Sequence, residues 1–286
     1  MASGAASANS ARDSARFRPA TQDRIADLMS ERFDLPATEP RRRYLFVAEP
    51  RSGGSFLAEA LRATGTAGVP YEYLNQRLID AYASRFGLAG APKTSQYFGH
   101  LLRHRTTPNG VFMLKALVEQ VAPILPRQNS VTRFLESCDK VFVLRRNDKL
   151  AQAVSFYKAS VSDAWNSQDR FDGYDDPARF PFDAVAISQF LRALFTADHQ
   201  LDEIVAWARE RGKPVESFTY EKIDGDLEGE WARLLQFLEL PFVPAASLGT
   251  TLERQRDAVS DALMAQYLAT IRSVNLPAGS GSDQPG

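Results

Sequence analysis

Residues 47–61, VAEPRSGGSFLAEAL, pass from an apolar run through a Pro/Gly/Ser turn into an amphipathic pattern. That is the order of a strand, an anion-binding loop and a helix N-terminus. Gly53 and Gly54 let consecutive backbone N–H groups turn inward, and a helix opening near Ser55 presents unsatisfied N–H groups and the positive end of its dipole. Arg51 adds a formal charge and Ser55 a hydroxyl. In a nucleoside triphosphatase the loop ends in Gly-Lys-Ser/Thr, with the lysine on the phosphates and the hydroxyl on Mg²⁺. Here the lysine is missing, and no clear acidic residue ends a strand to hold a metal. The loop therefore suits a compact anion, phosphate or sulfate, bound without metal. A plain glycine turn between strand and helix has the same spelling, so the loop needs support from elsewhere.

Working outward, the first strand is RYLFVAEP, closed by Pro50, and the helix after the loop is SFLAEALRATG, closed by Gly65. GVFMLKAL and KVFVLRRN are two further strands, and PVESFTYEKI a fourth. Helical periodicity marks KLAQAVSFYKASVSDAW, the long stretch over 182–212, EGEWARLLQFLEL and RQRDAVSDALMAQYLATI. Residues 21–33 place Ile25, Leu28 and Met29 on one helical face. Strands alternating with helices predict an α/β fold: a central, mainly parallel sheet flanked by helices in three layers, P-loop-like at its first turn. The expected organisation is an N-terminal tail and short helix over 1–40, one domain over 41–272 and a tail over 273–286. The polar, turn-rich stretch 166–182 is a lid or a loop.

Composition narrows the class. A chain of 286 residues with 44% hydrophobic content can bury a sizeable core. A net charge of −1 argues against broad electrostatic binding of nucleic acid. Cys138 is the one cysteine, so no internal disulfide forms and an oxidising compartment is not indicated. No apolar run is long enough to span a bilayer, and the first residues lack the apolar segment of a secretory signal. These features predict a soluble cytoplasmic protein. His100 and His104 are four apart, but no third ligand stands at useful spacing, so no metal is expected. Arg41, Arg42 and Arg43 read as a solvated strand entrance.

Two more stretches support the loop. In KVFVLRRNDKLAQAVSFYKA a strand ends in Arg145-Arg146 and turns into a helix carrying Ser155; Arg146 and Ser155 are placed to clamp a second phosphate, or else form an exposed basic turn. In FTYEKIDGDLEGEWARLLQFLEL a strand leads through Tyr220 and Glu221 to an amphipathic helix. Together, PRSGGSFLAEALRATGTAGVPYEY, TPNGVFMLKAL, RRNDKLAQAVSFYKASVSDAW and LERQRDAVSDALMAQY resemble the bacterial carbohydrate sulfotransferases that use 3′-phosphoadenosine-5′-phosphosulfate (PAPS), the family typified by trehalose 2-sulfotransferase. The resemblance spans about residues 43–270 and rests on four motifs in order.

The resemblance implies roles residue by residue. Arg51, Ser52, Gly53, Gly54 and Ser55 fall on the motif that binds the 5′-phosphosulfate, although the family pattern has serine at the place of Gly54 and threonine at the place of Ser55. Arg146 and Ser155 fall on the 3′-phosphate motif, Tyr220 on an aromatic position near the adenine, and Arg254 on a residue that closes the nucleotide site. Glu72, in GVPYEY, matches the catalytic base, and Lys115 a lysine that polarises the sulfuryl or leaving oxygen, with Arg51 sharing the developing charge. Without the resemblance, Glu72 would read as a solvated loop residue and Lys115 as a surface lysine. The implied reaction is metal-free transfer from PAPS to a hydroxyl of a carbohydrate or glycolipid, releasing 3′,5′-adenosine bisphosphate. A homodimer is permitted. The rival readings are a small-molecule kinase with an atypical phosphate loop and a non-catalytic nucleotide-binding relative. Acceptor specificity is expected in 74–108 and 162–185, where Tyr97, Phe98, Trp165 and Tyr174 either stack on sugar rings or pack in apolar contacts.

Overall fold

The computed structural model describes residues 27–165, 174, 176, 178, 180–248 and 257–275. Ile25, Arg254, the terminal tails and most of 166–179 lie outside them. Packing divides the chain into two units: Met1–Asn147 with Leu194–Glu253, and Asp148–Ala193 with Arg254–Gly286.

The first unit is built on four parallel strands: β1 Arg42–Ala48, β2 Val111–Leu117, β3 Lys140–Arg145 and β4 Val215–Thr219. Their order is β2-β1-β3-β4. Between and after them run α1 Gly54–Ala63, α2 Gln76–Arg85, α3 Thr94–His104, the single turn α4 Val118–Val121, and α5 Ser130–Glu136. The second unit opens with α6 Lys149–Ser162. The long helix α7 Ala184–Glu210 follows, its residues from Leu194 onward belonging to the first unit, as do α8 Tyr220–Gly225 and α9 Leu227–Phe237. The last helix, α10 Ala258–Asn275, is in the second unit.

The parallel sheet expected from the sequence is present, and β1–β3 are near-continuous apolar runs because both their faces are covered, whereas the edge strand β4 buries only Phe218. Leu45, Val47, Phe112, Leu114, Val141 and Val143 join one buried cluster with Tyr97, Phe98 and Leu101 of α3 and Leu201 and Ile204 of α7. The alternate positions Tyr44, Phe46, Val111, Met113, Phe142 and Leu144 join the other, with Leu57 and Leu61 of α1 and Trp231, Leu234 and Leu235 of α9. Each such side chain contributes about 1.5–3 kcal/mol of transfer free energy. The period-2 alternation of the strands thus makes a three-layer sandwich.

Three helices, α2, α3 and α5, lie where the sequence pattern predicts none. α2 buries only Leu78 and Tyr82, α3 only three residues, and α5 is seven residues long. Their apolar stripes are too thin to stand out, and the local signals are the caps: Asn75 Oδ1 accepts from Arg77 N–H, and Asn129 Oδ1 from Val131 and Thr132 N–H. The fourth strand also stops earlier than the run PVESFTYEKI suggests. Thr219 caps α8 by accepting from Lys222 N–H, so Tyr220 begins a helix. The arginine entrance to β1 is not fully solvated either: Arg42 Nη1 donates to Glu239 O at 3.1 Å and Arg43 Nη1 to Ser137 Oγ at 3.1 Å. Tyr97 and Phe98 are core residues, 3% and 6% exposed, which settles their two readings in favour of packing.

Within the second unit, Asp148 caps α6 through Ala151 N–H and Asp257 caps α10 through Ser260 N–H. Lys158 is buried, with Nζ 2.6 Å from Asp257 Oδ2 and over the rings of Tyr174 and Phe180. Trp165 packs edge-on to Phe156. Trp165 Nε1 also donates to Asp163 Oδ1 at 2.7 Å, and the Tyr174 ring meets Phe180 edge-on. Among the described residues no helix is long and apolar enough to cross a membrane.

Candidate active site

The strand order puts β1 at the centre, with β2 on one side and β3 on the other. The chain after β1 runs to β2 and the chain after β3 runs the opposite way to β4, so the topological switch point falls at the carboxyl ends of β1 and β3, the place where open parallel sheets bind ligands. The residues singled out in the first unit gather there. Arg51–Gly54 follow β1, Lys115 is near the end of β2, Arg146 follows β3, and Tyr220 follows β4.

The loop after β1 has the shape an anion needs. Arg51 and Gly53 have φ of 61° and 89°, in the left-handed region. A non-glycine residue there costs about 1–3 kcal/mol, a strain typical of functional loops. Gly53 is the N-cap of α1 and no side chain caps this helix, so its first N–H groups face the loop. A Cβ on Gly53 would stand 3.2 Å from the Tyr220 ring, and one on Gly54 only 2.8 Å from Ala48 Cβ. Ser52 is fully buried and its hydroxyl donates to Glu49 O at 2.7 Å. Any contact Ser52 makes with an anion therefore runs through its backbone N–H.

Glu72 reaches the crevice by a route that GVPYEY encodes. Gly68, at φ 74°, lies so close to β2 that a Cβ would come within 2.9 Å of Met113 N. This close approach lets the segment run beside β2, where Tyr71 O accepts Lys115 N–H at 3.2 Å. Tyr71 Oη donates to Glu59 of α1 at 3.0 Å. Glu72, next in the chain, then accepts from Lys115 Nζ at 2.6 Å through Oε1. Lys115 is 3% exposed and its Nζ also donates to Ser55 Oγ at 3.2 Å. Neither residue is the solvated surface group that composition alone suggests. Burial pushes the Glu72 carboxyl upward, but the Lys115 charge, with hydrogen bonds from Lys115, Asn75 and Gln120, outweighs it and holds the group below the ordinary carboxylate range.

Sequence reasoning passed over Gln120 and Glu49. Gln120 Nε2 donates to Glu72 Oε2 at 3.4 Å while its Oε1 accepts Leu117 N–H at 3.0 Å. Only the tertiary fold shows this, because α4 must turn back over the end of β2. Glu49 is the acid just past β1, masked in the sequence by the Pro50 turn, and it is 1% exposed. Its Oε2 accepts Arg146 N–H at 3.0 Å. The two arginines at the end of β3 separate. Arg145 pairs with Asp202 and Asp198 of α7, at 2.6 and 3.3 Å, while the Arg146 guanidinium lies 4.6 Å over the Tyr220 ring. Ser155 is a half-buried residue of α6 in the second unit, and Arg254 lies outside the described residues. Among the described residues no group of three or more His, Cys, Asp or Glu side chains is arranged to hold a metal ion. His100 instead lies 3.6 Å from Asp34, and burial lowers its pKa.

An uncapped helix start behind a left-handed loop at the end of a parallel strand is an arrangement able to hold an anion. Residues 43–270 match the Stf0 sulphotransferase family. The chain belongs to that family and is a sulfotransferase. Among curated relatives, trehalose 2-sulfotransferases of Mycobacterium tuberculosis and Mycolicibacterium smegmatis are each 28% identical over 278 residues. Those matches cover 82% of this chain and 98% and 97% of the relatives. Among solved structures, the sulfotransferase domain from the curacin biosynthetic pathway matches with a TM-score of 0.44 at 14% identity, covering 79% of this chain and 84% of that one. A sulfotransferase from Alicyclobacillus acidocaldarius matches with a TM-score of 0.43 at 13% identity, over 81% and 93% of the two chains.

Proposed function

We propose that this enzyme moves the sulfuryl group of PAPS to a hydroxyl of a carbohydrate, free or carried on a lipid, with residues 41–272 as the catalytic region. The observation that carries the reading is the position of one ammonium group. Lys115 Nζ bonds both Ser55 Oγ in the anion loop and Glu72 Oε1, so donor site and base meet at a single side chain. The residues present suit the donor. The left-handed turns at Arg51 and Gly53, the uncapped start of α1 and the absence of Cβ atoms at Gly53 and Gly54 leave a small concave nest for an anion.

PAPS, when bound, supplies an activated sulfuryl group. Glu72 accepts the proton of the acceptor hydroxyl as its oxygen forms a bond to sulfur. The bond from sulfur to the bridging oxygen breaks, and its electron pair stays on the 5′-phosphate. Arg51, Lys115 and the loop N–H groups take up that charge, as preorganised donors do. Arg146 lies at the second anion position, and the family resemblance adds Ser155, Arg254 and the ring of Tyr220 to the nucleotide site. The names of the two trehalose 2-sulfotransferases point to a disaccharide as acceptor class. The reading extends to a cytoplasmic enzyme able to work as a homodimer and to use no metal.

The test is transfer of labelled sulfate from PAPS to a panel of sugars and to extracted lipids, beside Glu72→Gln. The expected result is acceptor-dependent product from the wild type and a loss of about 10²–10⁴-fold in the variant, with nucleotide binding kept. Turnover of ATP with Mg²⁺ in place of PAPS would favour the kinase reading, and nucleotide binding without transfer to any acceptor the non-catalytic one. Glu72→Gln activity within a fewfold of wild type would remove Glu72 as the base.

A further inference from the structure

We infer that Glu49 is a positioning residue that links the anion loop to Arg146 and so sets the enzyme's grip on the 3′-phosphate of its donor. The inference rests on the PAPS reading above.

A carboxylate that is 1% exposed at the edge of an anion site is costly unless it holds something in place. The Glu49 carboxylate does so at one point, and its backbone joins two neighbouring segments. Its side-chain Oε2 accepts Arg146 N–H at 3.0 Å. Its backbone O accepts the Ser52 hydroxyl at 2.7 Å, and its backbone N–H extends the β1–β3 pairing by donating to Leu144 O at 3.0 Å. From Arg146 the chain of contacts closes on itself. Arg146 Nη1 donates to Arg51 O at 3.5 Å, and its guanidinium stacks on Tyr220, whose ring backs Gly53. The next N–H, of Asn147, is held by both oxygens of Glu221 at 3.0 and 3.1 Å. Arg146 thus has its backbone fixed by carboxylates and its side chain by stacking, while its Nε is buried without a hydrogen-bond partner. Arg145, paired with Asp198 and Asp202, is drawn to another partner set. Glu49 therefore fixes which arginine faces the crevice and where.

The measurement is calorimetric affinity for 3′,5′-adenosine bisphosphate and for AMP, in wild type, Glu49→Ala, Glu49→Asp and Glu49→Gln. The wild type should prefer the bisphosphate by about 10–100-fold, the range of one charge-assisted contact. Glu49→Ala should reduce the preference to about threefold or less with AMP affinity little changed, a split that general loosening of the fold does not produce. Glu49→Asp, one methylene too short to reach Arg146 N–H, should behave alike and serves if the alanine variant does not fold. Glu49→Gln keeps an oxygen acceptor and should recover most of the preference. A wild-type preference that survives in Glu49→Ala or Glu49→Asp overturns the role of Glu49 alone. Equal affinities in the wild type overturn the nucleotide reading and this role with it.

Discussion

Lys115→Met removes the ammonium from the centre of the site while keeping much of the side-chain volume. Lys115 and Glu72 have side chains 4% and 22% exposed and lie 2.6 Å apart. Removing one partner of a buried pair costs about 3–5 kcal/mol, and the partial exposure of Glu72 puts the expectation near ~3 kcal/mol at neutral pH. That is a large share of the ~5–15 kcal/mol that holds a domain folded. The cost should depend on pH in a definite direction. In the wild type the folded Glu72 carboxyl lies below its unfolded value of about 4.3. Its contribution is complete above that value and is lost as pH falls through the folded pKa. In the variant, burial acts without the lysine and raises the carboxyl above the unfolded value. The variant then regains relative stability as pH falls, because a neutral carboxyl needs no counter-charge. Urea unfolding of both proteins from pH 7 to about pH 4 should show the difference shrink from ~3 kcal/mol to about 1 kcal/mol, the size of a lost hydrogen bond. A difference below ~1 kcal/mol at pH 7, flat with pH, would refute the buried ion pair as the organiser of this site.

Arg51→Ala should lower kcat by about 10²-fold and leave nucleotide affinity much less affected, because charge on the leaving oxygen grows toward the transition state; a change confined to the donor KM would make Arg51 a binding residue only. Gly54→Ser places a Cβ 2.8 Å from Ala48 Cβ and 3.4 Å from Lys115 Cε. It should cost about 1–3 kcal/mol in a denaturant titration, and a loss under ~0.5 kcal/mol would show that the loop has room. The Cys138 thiol is buried and pushed up to about 12, so at pH 8 a disulfide reagent should label it only as fast as the protein opens. Labelling within seconds in the native state would contradict its burial.

Local sequence was enough for what depends on local rules. Apolar runs mark β1–β3, with Pro50 closing the first and Gly110 opening the second, and their alternation with helical periods predicts the parallel sheet that the structure contains. The turn at Arg51–Gly54 and the uncapped helix after it are legible because backbone conformation follows from glycine spacing. The resemblance across four motifs supplied the family. What the linear text could not carry is everything that depends on distance in space. Glu72 and Lys115 are 43 residues apart, and each reads alone as an exposed charge. Only the path of GVPYEY along the edge of β2 buries them as a pair. Glu49 reads as the acid of a Pro turn until Arg146 N–H, 97 residues on, is seen to bond it. In the sequence Tyr97 and Phe98 read equally as sugar-stacking or packing residues, and packing of α3 on the sheet puts them in the core. Charges and aromatic rings take their roles from the medium around them, and burial is a property of the folded chain rather than of any stretch of it.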